Sequence, residues 1–162
     1  MKLKFKKTHP KAIIPTRATP SSAGLDIHVI LENETTMFAS GEKECKVINN
    51  ETTIPPRSTL LVRTGLSIQP ERKDVALLIY PRSGLSTKHG IDIANCVAVI
   101  DSDYRGEIRI PLRNNSNLPF VLRDGDRVAQ LVVTPIIFAE TEEVNELDET
   151  ERGTGGFGST GR

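Results

Sequence analysis

The apolar residues of this chain fall in short runs: "STLLVRTGLSI" at 58–68, "DVALLIYP" at 74–81, "CVAVID" at 96–101, "EIRIPLRN" at 107–114 and "RVAQLVVTPIIFAE" at 127–140. Many of the residues are β-branched, and several runs alternate, as at Ile108, Ile110 and Leu112. Turn chemistry separates them at Pro55-Pro56, Asn114-Asn115 and Asp124-Gly125, and 10 prolines and 12 glycines punctuate the whole. Short, regularly spaced strands with turn signals predict an all-β sandwich or barrel. One short helix fits inside "SGLSTKHG", residues 83 to 90, where Leu85 follows a candidate serine cap. No internal repeat is present.

Two stretches break the pattern. Residues 32 to 53 are polar and turn-rich, and read as a long loop or an extra hairpin. Residues 140 to 153, "ETEEVNELDETERG", are acidic with few apolar positions and read as a solvated linker. The remaining 162-residue chain is enough for one domain with a proper core. Its 21 basic and 21 acidic residues balance, which argues against a nucleic-acid partner. No apolar run is long enough for a membrane span, and "MKLKFKKTHPK" has no apolar segment of the kind a secretory signal needs. Cys45 and Cys96 lie far apart and read as free, buried or half-buried thiols in a reducing cytoplasm; with His9, His28 and His89 scattered, no zinc cluster forms.

The chemistry concentrates in four places. In "VIDSDYRGEIRI" (99–110) an apolar strand runs into Asp101. This is either a hairpin with polar turn residues or a backbone-held carboxylate able to orient and deprotonate water. "YPRSGLSTKHGI" (80–91) places Arg82, Ser83 and Gly84 ahead of the helix, as a capped turn or an anion site. In "SAGLDIHV" (22–29) Asp26 lies on a strand-like stretch, where a buried carboxylate needs a partner, structural or metal-bound water. Last, "RGTGGFGSTGR" (152–162) sets Phe157 among 5 glycines. Gly153, Gly155 and Gly158 match G-x-G-x-x-G, but the chain stops before the helix and acidic residue that a dinucleotide site requires. A frayed end is one reading. The other is a flap over a nucleoside phosphate, with backbone N–H groups, Arg152, Ser159 and Thr160 on the anion and Phe157 on a flat ring.

Five segments in order carry a resemblance: "AGLDIHV" (23–29), "PRSGLSTKHGI" (81–91), "NCVAVIDSDYRGEI" (95–108), "GDRVAQLVV" (125–133) and "RGTGGFGSTG" (152–161). The chain resembles the homotrimeric dUTPase family. That resemblance implies a jelly-roll-like β-barrel over residues 1–139, then a linker and flexible glycine-rich arm over 140–162 that closes the site. It implies a cytoplasmic, Mg²⁺-dependent enzyme that hydrolyses dUTP to dUMP and pyrophosphate, limits uracil in DNA and supplies dUMP for thymidylate synthesis. Three active sites would be shared between subunits of a homotrimer, with no nucleic-acid or membrane partner. By motif matching, Asp101 activates the water that attacks the α-phosphorus. Asn95 and the backbone at Ala98, Val99 and Arg109 read uracil, and Tyr104 lies under the deoxyribose. Arg82, Ser83, Gly84 and Gln130 hold phosphates. Arg152, Gly158, Ser159 and Thr160 close on the γ-phosphate side, Phe157 covers the base, and Asp26 touches Mg²⁺ through water.

The chain departs from the family pattern at Ala98, where glycine is usual. Alanine there costs roughly 1 kcal/mol if the position needs positive φ and nothing if φ is negative. Residues 32–53 are also longer than the matching family segment. A dCTP deaminase-like enzyme or a non-catalytic nucleotide-binding regulator would share the fold. "PRSG", "DYRG", Asp101 and the tail set the chain apart from both.

Overall fold

The computed structural model describes residues 1–156. The apolar runs become the strands that carry the core. In chain order the elements are β1 (Leu3–Lys7), β2 (Leu25–His28), β3 (Thr36–Ala39), β4 (Lys43–Lys46), β5 (Glu51–Ile54), β6 (Thr59–Arg63), β7 (Leu66–Pro70) and β8 (Val75–Pro81). The helix α1 (Ser83–His89) follows, then β9 (Ile91–Ile93), β10 (Ala98–Ile100), β11 (Arg109–Asn114), β12 (Phe120–Arg123) and β13 (Arg127–Pro135). Two larger sheets form, with strand orders β10-β8-β13-β2 and β4-β3-β6-β11-β9; β1-β7 and β12-β5 make two-stranded ribbons. All assigned strand pairs are antiparallel.

One core joins the two larger sheets, the double-sheet arrangement of a jelly roll. Ile27, Leu77, Ile79 and Leu131 come from the first sheet; Leu60, Val62, Ile91, Ile110 and Leu112 come from the second. Each such side chain contributes about 1.5–3 kcal/mol on leaving water. Alternation decides which face of β11 packs: Ile110 and Leu112 are buried while Arg109 and Arg113 are exposed. The all-β, one-helix expectation is met.

Residues 32–53 form the extra hairpin rather than a loose loop. β3 and β4 pair across a turn in which Gly41 and Glu42 have φ of 77° and 57°. The hairpin docks on β6 through the pair Ala39–Leu60 and buries Ala39, Cys45 and Val47. A second tight turn at Asn49-Asn50, both with positive φ, returns the chain from Ile48 to Glu51, as two-residue hairpin turns require.

The helix start corrects one expectation. Ser83 is the first helical residue, not the cap; Arg82 occupies the cap position in extended conformation without a side-chain cap bond. Its guanidinium is drawn instead to Asp26 and to the Arg127 carbonyl. Gly90 ends the helix with φ 66°, a left-handed stop that glycine favours. Beyond β13, residues 135–154 are exposed and form no strand. Among the described residues, no helix is long and apolar enough to cross a membrane.

Candidate active site

The third motif supplies a cavity. β10 pairs with the central strand β8 through Ala98–Ile79, Val99–Leu78 and Ile100–Leu77. The chain then turns through residues 101–108 and returns as β11. Between the two arms lies a cavity of about 250 Å³ lined by Ile79, Asn95, Ala98, Val99, Ile100, Asp101, Tyr104, Glu107, Ile108 and Arg109. All six sequence-predicted residues of this motif therefore meet on one concavity. Ala98 is a strand residue outside the left-handed φ region, so alanine is unstrained where glycine is usual.

Asp101 stands at the end of β10, exposed, and its carboxylate bonds to no other described side chain or N–H. It also borders a second cavity of about 510 Å³ with Lys73, Asp103, Arg105 and Phe138. A carboxylate held by strand backbone and free of partners is able to take a water and its proton. Tyr104, 46% exposed, is fixed by two contacts rather than by burial. Its hydroxyl donates to the Glu107 carbonyl at 3.2 Å, and its ring passes over Gly106, where a Cβ would stand 2.2 Å from the hydroxyl oxygen.

The phosphate-type residues gather on a different surface. Asp26 on β2 pairs with Gln130 on β13, and Gln130 pairs with Tyr80 on β8. The Gln130 amide donates to the Pro81 carbonyl at 3.0 Å; Gly24 packs so tightly on it that a Cβ would approach the amide oxygen to 2.6 Å. Asp26 takes one guanidinium on each oxygen: Arg82 at 3.3 Å and Arg127 at 3.1 Å. Its partner is thus a double ion pair within the chain. Ser83 and Gly84 lie exposed in the first turn of α1, and a Cβ on Gly84 would meet nothing within 4 Å. Burial pushes the His28 imidazole below its usual pKa; Asp26 opposes that, while Arg127 and Arg82 reinforce it. Its Nδ1 is buried without a partner.

Arg152 is exposed and its Nε donates to the Gly155 carbonyl at 3.0 Å. Phe157, Gly158, Ser159 and Thr160 lie outside the described residues. Both cysteines are free, but Cys96 is exposed rather than buried or half-buried, because it sits in the loop before β10; Cys45 is buried and its thiol pKa raised by that burial. Sequence reading missed Arg127, Gly106 and Glu107 as site residues. All three lie inside quoted motifs, yet their partners are remote in sequence, so no local spacing announces them.

No group of three or more His, Cys, Asp or Glu among the described residues is placed to hold a metal. A single carboxylate, Asp26, suits an ion carried mainly by phosphate oxygens rather than caged by protein.

A protein-family model for dUTPase matches residues 47–161. A deoxyuridine 5'-triphosphate nucleotidohydrolase of Nautilia profundicola is 43% identical over the full length of both chains. One from Pseudomonas putida is 43% identical over 148 residues, covering 91% of this chain and 87% of the relative. In fold, the chain matches a mutant dUTPase of Staphylococcus bacteriophage 80alpha with dUpNHpp at a TM-score of 0.78, over 99% of both chains at 23% identity. It matches a phage phi11 dUTPase mutant, described with a structural Mg(II) ion, at a TM-score of 0.73 and 20% identity over 92% of this chain and 100% of that one. With a family model spanning most of the sequence and a relative matched end to end, the chain belongs to the dUTPase family.

Proposed function

We propose that the chain hydrolyses dUTP to dUMP and pyrophosphate, with Asp101 as the base. The observation that carries this reading is the meeting of six motif residues on one cavity, with an unpaired carboxylate at its edge. Water attacks the α-phosphorus as Asp101 takes its proton. The bond to the bridging oxygen breaks, and pyrophosphate leaves. Asn95 and the backbone at Ala98, Val99 and Arg109 hold the uracil edge, and Tyr104 closes the space that a 2′-hydroxyl would need.

Arg82, Ser83, Gly84 and Gln130 hold the phosphates. In the single chain they lie on another surface than the uracil cavity, and Arg82 lines a cavity with Arg127 and Phe120. That separation supports sites assembled between subunits of a homotrimer, each surface completing a neighbour's. The arm beyond residue 151 covers the nucleotide through Arg152, Phe157, Gly158, Ser159 and Thr160. Mg²⁺ supplies charge neutralisation on the triphosphate. Asp26 reaches a water of that ion when Arg82 or Arg127 exchanges the carboxylate for phosphate.

The test measures pyrophosphate release from dUTP beside ammonia release from dCTP. We expect pyrophosphate from dUTP and no ammonia; ammonia release would make the chain a deaminase, and neither product would make it a binder. Asp101→Asn should keep nucleotide affinity and lower kcat by roughly 100-fold or more. Near wild-type turnover of that variant would remove Asp101 from the base role.

A further inference from the structure

Tyr104 presents a problem of rigidity. A wall that separates hydrogen from hydroxyl on a sugar must not yield, yet this ring is half-exposed and packs on a glycine in a turn. The structure shows what holds it. The Tyr104 hydroxyl donates to the backbone carbonyl of Glu107. The Glu107 carboxylate, only 11% exposed, is itself clamped: Arg63 Nε lies 3.1 Å from both oxygens, and the Gly65 N–H donates to Oε1 at 2.8 Å. Arg63 is in turn paired with Glu32 at 3.2 Å. Two further bonds pin the same corner, from the Ile108 N–H to the Leu66 carbonyl at 2.8 Å and from the Thr64 hydroxyl to the Ile108 carbonyl at 2.7 Å.

We infer that Glu107, with Gly106, is a positioning residue for sugar discrimination: its carboxylate anchors the 104–108 turn to the β6–β7 corner and so holds Tyr104 as a fixed wall. This rests on the sugar-facing role given to Tyr104 above. Glu107 touches no substrate in this scheme. It acts through its own carbonyl and through the rigidity that charge-assisted bonds to a half-buried carboxylate supply. Gly106 acts by absence, since any side chain there displaces the phenol.

The test compares kcat/KM for dUTP and UTP in the wild type, Glu107→Gln, Gly106→Ala and Tyr104→Phe, with Tm measured alongside. Glu107→Gln keeps the size and loses the charge. It should lower the dUTP/UTP ratio by about tenfold or more, with UTP turnover rising in absolute terms. Gly106→Ala should do the same, and Tyr104→Phe, which removes only an exposed hydroxyl, guards against a Glu107 variant that fails to fold. In a Tyr104→Ala background, Glu107→Gln should leave the ratio where Tyr104→Ala put it, because coupled residues do not add. A purely structural role would lower both substrates together and keep the ratio. Unchanged ratios in Gly106→Ala and Glu107→Gln, with wild-type dUTP turnover intact, overturn this inference alone. Absence of wild-type dUTP turnover overturns the functional reading as well.

Discussion

His28 shares β2 with Asp26, and its buried Nδ1 has no partner, so the ring is held neutral in the fold. Burial is the main cause of its lowered pKa, with Arg127 and Arg82 adding to it against the attraction of Asp26. The unfolded chain therefore binds this proton more readily than the folded one. Stability from His28 is complete above the ordinary histidine pKa of about 6.5 and drains away as pH falls below it, down to the lowered folded value. Thermal melts from about pH 7.5 to about pH 5 should show a falling Tm. His28→Gln, which cannot take the proton, should flatten that fall; an equal slope in both proteins would mean other groups carry it. The neighbouring residues show how far single positions were legible. Asp101, Tyr104 and Asn95 announced themselves because strand-to-turn chemistry is local. Arg127 did not, since its value lies in the Asp26 carboxylate 101 positions away. Glu107 likewise depends on Arg63, 44 positions away.

At the scale of elements, legibility followed the source of each strand's stability. β8, β11 and β13 were visible because their own side chains supply the core, as the buried Leu77, Ile110 and Leu131 show. β3, β4 and β5 were ambiguous because they are polar outside a few packed positions, and their pairing partners on β6 and β12 are distant in sequence. The helix was found but its cap misassigned, because Arg82 answers to Asp26 rather than to the helix end. The corner between β6 and β7 is the most demanding joint. Gly65 has φ 65°, and a Cβ would stand 2.4 Å from Ile30 Cδ1 and 2.9 Å from His9 Cβ. Gly41, with φ 77°, has nothing within 4 Å of the same atom. Gly41→Ala should therefore cost only the backbone term, about 1 kcal/mol. Gly65→Ala should cost that plus overpacking of about 1–3 kcal/mol. Urea titrations of the two variants check this, and equal losses would show that φ alone governs both.

At the scale of the molecule, the candidate site is incomplete in one chain. The uracil cavity sits on the β10–β11 side, the phosphate residues gather around β2, α1 and β13, and the fifth motif follows an exposed acidic stretch. Folding does not need that last segment: among the described residues, no buried hydrophobic residue lies beyond Leu131. Ordering glycine-rich chain costs roughly 1–2 kcal/mol of backbone entropy per residue, which a compact domain has no reason to spend without a ligand. Under the proposed function, the offset comes from Arg152, Ser159 and Thr160 on phosphate and Phe157 on the base. A protein ending at residue 151 should thus keep its Tm and its oligomer mass. Its dUTP turnover should drop on the order of 100-fold or more, because the segment that aligns the phosphates and excludes water is gone. Calorimetry, light scattering and pyrophosphate release on the truncated protein check the three parts separately. Unchanged turnover would leave the tail outside the site, and a large fall in Tm would make it part of the fold instead of its cover.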